Sequence, residues 1–180
     1  TKLVKEASRV LESLAMAQCQ LEIALTPRAG NDPHPHGAED VEFLISTNPG
    51  SAPQPLGKIA SGGELSRISL AIQVVTAAAS PVASMVFDEV DVGIGGGVAE
   101  VVGKLLRSLA EQAQVLCVTH APQVAALGNQ HLVVRKSAQQ DTEIETLNDQ
   151  TRLAEVARML AGADVTEKTR DYAASLLAEA

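Results

Sequence analysis

Short apolar runs alternating with helix-forming segments predict an α/β fold, with a largely parallel sheet flanked by helices. Two runs carry most of that prediction: Ser84–Asp88 (SMVFD) and Gln114–Thr119 (QVLCVT) have strand length and few polar residues. Between them Val98–Gln112 is helical in pattern. The third observation is SGGELSRISLAIQVVTAAA from Ser61, where Ser61 and Glu64 have the spacing of a capping box before a long helical run. The 180 residues suffice for one ordinary domain with a real core. With 46% hydrophobic and 20% charged residues, composition excludes a disordered chain.

Taken in order, the chain opens without an initiator Met on an amphipathic pattern, which reads as a piece of a longer protein. Val4, Ala7, Leu11, Leu14, Leu21 and Leu25 recur at spacings that fit a heptad seam over residues 3–25, with Gln18 in a polar slot. An ordinary core-facing helix would show the same spacing. Residues 26–38 (TPRAGNDPHPHGA) form a loop; His34 and His36 lie there without a further His or Cys nearby, so a solvated loop outweighs a metal site. Val41–Ser46 reads as a strand, and NPGSAPQPLGK as a second loop. The helix from Ser61 ends before Pro81. Ser84–Asp88 then reads as a buried strand stopping in Asp88 and Glu89, followed by the glycine-rich turn DVGIGGG. Gln114–Thr119 is a second buried strand with His120 at its tip, and Pro122–Leu127 a short helix. His131–Arg135 is strand-like, and Thr142–Leu147 forms an edge strand or hairpin partner. Helices near Thr151–Ala161 and Asp164–Glu179, separated by Gly162, close the chain.

Composition narrows the function. Fourteen Lys and Arg against 22 Asp and Glu give a net charge of −8, which argues against a broad basic face for phosphate backbones. Phe43, Phe87 and Tyr172 are the whole aromatic complement, too little for a base-stacking platform. Cys19 and Cys117 cannot by themselves build a disulfide scaffold or a four-ligand zinc site, and read as buried reduced thiols of a cytosolic protein. No stretch reaches membrane-span length and none resembles a signal peptide.

Parallel sheets place ligands at the carboxyl ends of their strands. Both apolar strands here end in chemically useful side chains: Asp88 and Glu89, and His120. Adjacent residues of a strand point to opposite sides, so one carboxylate can serve a hydrated Mg²⁺ while the other faces an attacking water. His120 can donate a hydrogen bond to a terminal phosphate. Ser61, Gly62 and Gly63 at a helix start offer backbone N–H groups and partial positive charge to an anion. Singly, each feature has a plainer reading: a helix cap, a solvated strand end, a histidine packed at a sheet edge.

In this order the pieces are more specific. SGGELSR at Ser61–Arg67, MVFDEVDVGIGG at Met85–Gly96 and VLCVTHAPQVAA at Val115–Ala126, with FLISTNPG, PLGKIA and LAEVARMLAG, resemble the RecN family of SMC-like, ABC-type DNA repair ATPases. The resemblance covers nearly the whole chain. It implies the C-terminal lobe of an ABC/SMC-type P-loop ATPase head: residues 1–25 would end a coiled-coil arm, and residues 26–180 would form the lobe. It implies that Ser61, Gly62, Gly63 and Glu64 are the signature, meeting in trans the ATP held by a second head. Asp88 would be the Walker B aspartate, supporting Mg²⁺ through water. Glu89 would activate water and His120 would be the switch histidine. Asp91 would lie in the D-loop, at the interface between heads. ATP and Mg²⁺ are the implied substrate and cofactor. The implied partners are the N-terminal lobe, a second head in a homodimer, DNA and a recombinase. The implied setting is the bacterial cytoplasm, at the nucleoid.

One departure matters. No G-x-x-x-x-G-K-[ST] occurs: Gly57-Lys58 is followed by Ile59 and lacks the upstream Gly. That loop supplies the Lys and the hydroxyl on which phosphoryl transfer depends, so the chain alone is expected to be inactive. A related SMC or RecF-type head remains an alternative, although DEVDVGIGG rather than an ALD-type turn favours RecN. A transporter nucleotide-binding domain fits the turn less well. A non-catalytic partner-binding lobe, with Asp88, Glu89 and His120 structural, is the last alternative.

Overall fold

The computed structural model describes residues 1–28, 35, 37–48, 50–58, 61–79, 82–136 and 141–179. His34, His36 and Pro81, discussed above, lie outside them. The chain divides into two compact units, Thr1–Ala83 and Ser84–Ala180. The boundary placed at residue 25 falls instead inside a strand of the first unit.

The first unit opens with α1 (Lys2–Ser13), which is shorter than the heptad pattern predicts. Its end has a local cause. Ala15 adopts φ 60°, the Met16 amide donates to the Leu11 carbonyl at 2.9 Å, and the Ala15 amide donates to Glu12 at 3.2 Å. This is a Schellman closure with alanine where glycine is usual, and buried Met16 and Leu11 supply its apolar contact. The chain then enters β1 (Gln20–Pro27), antiparallel to β2 (Glu39–Ser46). Leu21, assigned to the heptad, faces Ile45 in register, and both are 3% exposed. Leu21, Ile23 and Leu25 also alternate with period two, and the cross-strand pairing decides between the two patterns. A two-residue β3 (Gln54–Pro55) extends this sheet on β2. The helix α2 (Gly62–Thr76) packs its buried Ile68, Leu70 and Ala71 in this unit, beside α1 with Ala7, Leu11 and Leu14.

The second unit carries the parallel pair. β4 (Ser84–Asp88) and β5 (Gln114–Val118) run in register from Ser84↔Gln114 to Asp88↔Val118, joined through α3 (Gly96–Ala110). Ala99, Val102, Leu106 and Leu109 bury one face of α3, which packs against β5 and α4 (Pro122–Ala126). Gly103 permits the close helix approach: a Cβ there would stand 2.6 Å from Leu127 Cδ1 and 3.4 Å from Val124 Cα. β6 (Leu132–Lys136) and β7 (Thr142–Thr146) form an antiparallel hairpin. The helix α5 (Asp149–Ala161) starts on a complete capping box between Asn148 and Thr151, and packs Val156 and Ala157 against Ala173 of α6 (Glu167–Ala178). Arg152 donates to the Ala126 carbonyl at 2.8 Å and to those of Ala125 and Gly128, closing the end of α4.

The α/β class holds, but among the described residues parallel pairing is confined to β4–β5; the other two sheets are antiparallel. Nor are β4 and β5 buried on both faces. Met85 and Phe87 are covered, whereas Val86 is 69% and Val118 62% exposed. Apolar residues on both faces are the pattern of a strand between two layers, and here one face of this pair is bare.

Ala15 in the left-handed region costs about 1 kcal/mol, part of which glycine returns to the unfolded chain as entropy. Ala15→Gly is therefore expected to stabilise the chain by up to about 1 kcal/mol, read as a higher denaturant midpoint at unchanged slope. A lower midpoint would contradict this account of the α1 terminus.

Candidate functional site at the ends of the parallel strands

Parallel pairing brings the carboxyl ends of β4 and β5 to one edge. Asp88 closes β4 and is exposed. Glu89 follows at φ 58°, a left-handed conformation uncommon outside glycine, and its carbonyl accepts from the Val92 amide at 3.2 Å. Val90 and Asp91 hold that turn from below, 0% and 2% exposed. The sharp bend thus leaves Asp88 and Glu89 outward while the next two residues anchor inward. Non-glycine residues persist in such conformations where their surroundings over-determine them, and functional sites collect them.

The Asp91 carboxylate is spent on the turn after β5. Its Oδ2 accepts from the Thr119 hydroxyl, from the His120 amide at 3.0 Å and from the Ala121 amide at 2.9 Å. His120 Nδ1 lies 3.4 Å from the same oxygen, while the His120 side chain is 72% exposed. Asp91, expected in a D-loop at the interface between heads, turns its own side chain into the second unit. The exposed part of its turn is Val92, Gly93 and Gly95–Gly97. A carboxylate withdrawn from water demands such donors, and charge-assisted bonds are the strong ones.

Cys117 reports the field beneath these groups. Burial pushes its thiol from 9.0 up to about 12, and Asp91 and then Asp88 add to the shift. His131 is held below the usual histidine range, mainly by burial and then by Arg152.

The signature residues belong to the first unit. Ser61 is the N-cap of α2, and its hydroxyl accepts from the Glu64 amide at 3.4 Å, which is the serine half of the predicted capping box. Ser61 and Gly62 are exposed; Gly63 is buried and Glu64 half-buried. Arg67, the last residue of SGGELSR, turns inward, and burial lowers its pKa. Its charge also opposes the rise that burial and Glu64 impose on the Cys19 thiol. Asp88, Glu89, Asp91 and His120 thus share one strand edge, whereas Ser61–Glu64 form a separate feature of the other unit.

Thr119 and the Ala121 amide escaped the sequence reading. Thr119 sits in the quoted VLCVTHAP run, but its bond to Asp91 spans 28 residues and leaves no local pattern. Among the described residues no three His, Cys, Asp or Glu side chains cluster as metal ligands.

The fold is similar to that of SMC heads in solved structures. A Pyrococcus yayanosii Smc head domain with a coiled coil and joint superposes with TM-score 0.61 at 16% identity, covering 86% of this chain and 28% of that one. A chain from a structural study of ATP-driven dimerization and DNA-stimulated activation of SMC ATPases gives 0.55 at 15% identity, covering 90% and 93%. No family model matches the chain. Its sequence is 51% identical over 175 residues to the DNA repair protein RecN of Xylella fastidiosa strain Temecula1, covering 96% of this chain and 31% of that protein. It is 48% identical over 179 residues to RecN of Vibrio cholerae (98% and 32%) and 38% over 195 residues to RecN of Bacillus subtilis (99% and 34%). Over nearly its whole length the chain is thus similar to RecN proteins. It spans about a third of the length of these relatives.

The raised Cys117 pKa makes a prediction. At pH 8 its thiolate fraction is about a thousandfold below that of a free thiol, so alkylation in the folded protein is expected to be far slower than after unfolding. Unfolding frees a thiol that ionises near pH 9, while the folded thiol keeps its proton to about 12. Stability should therefore fall as pH rises through that window, and less steeply in Cys117→Ala. Equal labelling rates for folded and unfolded protein would contradict the burial of this thiol.

Proposed function

We propose that this chain is the C-terminal part of an ATP-hydrolysing head acting in DNA double-strand break repair and recombination. The observation that carries the reading is the shared strand edge: Asp88 and Glu89 at the end of β4, and His120 at the end of β5, tied together by Asp91. Sequence kinship with RecN proteins supports the repair setting.

In this reading Glu89 takes a proton from the attacking water, and its left-handed backbone aims the carboxylate outward from the edge. His120 contacts the terminal phosphate through its exposed ring. Asp88 is the residue that would hold Mg²⁺, through a water molecule. Bound there, the ion would neutralise charge developing on the phosphates. Ser61, Gly62 and Gly63 present the N-terminus of α2, with Glu64 in its first turn, to the γ-phosphate on a second head. Asp91 anchors the D-loop, leaving the exposed glycines beyond it to face that head.

The reading requires the phosphate-cradling loop, absent from this sequence, to come from the N-terminal part of the protein. Its further partners are a second identical head, DNA and a recombinase, and its setting is the bacterial cytoplasm and nucleoid. Among the described residues no helix is long and apolar enough to cross a membrane. We expect the chain alone to turn over no ATP.

Glu89→Gln in the full-length protein is the test. ATP binding should survive, while turnover falls by about a hundredfold or more, in line with the usual range for a lost general base. Unchanged turnover with intact binding would reduce the lobe to a partner-binding role.

A further inference from the structure

We propose that Asp91 is a positioning residue for ATP turnover, setting the place and the ring orientation of His120 and acting through it. The inference rests on the reading of His120 as the phosphate contact. It goes beyond that reading by assigning the group that holds the histidine.

The geometry carries the proposal. Asp91 is 2% exposed, and among the described residues the hydrogen-bond donors to its Oδ2 belong to the turn after β5: the Thr119 hydroxyl and the amides of His120 and Ala121. The other oxygen, Oδ1, is buried with no hydrogen-bond partner among the described residues, so the carboxylate's bonding there is concentrated on this turn. Two consecutive amides converging on one oxygen fix the orientation of both peptide planes flanking His120. The Thr119 hydroxyl closes the arrangement by also accepting from the Ala121 amide at 3.0 Å. The ring has little other support, being 72% exposed, and it turns Nδ1 to within 3.4 Å of Oδ2. A carboxylate facing Nδ1 favours the proton there, which leaves Nε2 as the outward nitrogen. Asp91 is thus placed to set where the ring stands and which nitrogen it presents, while itself remaining out of reach of substrate.

The test is a double-mutant cycle in the full-length protein, with steady-state ATP turnover at saturating Mg²⁺. His120→Ala is expected to lower kcat by about tenfold or more. Asp91→Ala and Asp91→Asn should also lower kcat by about tenfold, with KM held within about threefold, because binding groups elsewhere are untouched. In the His120→Ala background Asp91→Ala should cost less than about twofold more, since its route to the chemistry is already gone. A merely structural role would cost the same factor in both backgrounds, and that additivity would overturn the proposal, as would unchanged kcat in both Asp91 variants. Asparagine keeps an acceptor for the amides and carries the cycle should the alanine variant misfold. Glu89→Gln in the same assay separates the two levels. Loss with Glu89→Gln and His120→Ala, but not with Asp91 variants, overturns only the positioning role. Full activity in Glu89→Gln and His120→Ala overturns the ATPase reading and this inference with it.

Discussion

A carboxylate taken out of water must find donors, and Asp91 finds three on a segment that lies 28 to 30 residues further along the chain. The rest of the candidate site follows from that constraint. The parallel pairing of β4 and β5 brings two strand ends together, but strand ends alone leave their turns free to drift. Asp91 ties the first turn to the second, and Val90, wholly buried beside it, seats the first turn on the core. With those two residues drawn inward, Glu89 is forced through a left-handed bend and Asp88 and Glu89 are left at the surface. The bond network makes three side chains at the surface into one geometric unit: two carboxylates and an imidazole.

That unit is supported from one side. α3 and α4 are covered by small and aliphatic contacts, with Gly103 letting Leu127 and Val124 approach, and the guanidinium of Arg152 closes α4 beyond them. The opposite face of β4 and β5 shows Val86, Leu116 and Val118 to solvent. The RecN relatives are about three times as long as the segment they share with this chain. The strand pair thus carries apolar residues on both faces and is covered on one.

Much of this was legible from residues alone. The apolar runs SMVFD and QVLCVT predict β4 and β5 because strand-length apolar segments bounded by turns have few other uses. Ser61 and Glu64 mark the start of α2 through hydroxyl capping, which is a local interaction. Leu14, Leu21 and Leu25 mislead, because the same leucines satisfy a heptad and, with Ile23, a strand alternation; pairing with β2, remote in sequence, makes the choice. The left-handed Ala15 that ends α1 carries no glycine to announce it. Asp91 was legible as a functional position and not as a buried one. Its burial depends on Thr119 and two backbone amides, and backbone amides have no signature in a sequence.

Amide hydrogen exchange at His120 and Ala121 tests the central claim most directly. Both amides lie beyond the β5 ladder, so their protection depends on the Asp91 carboxylate. Slow exchange at both, lost in Asp91→Ala while the amides bonded within the β4–β5 ladder stay protected, is the result predicted here. Fast exchange at His120 and Ala121 in the unaltered protein would contradict it, and with it the claim that one buried carboxylate holds the two strand ends as a single site.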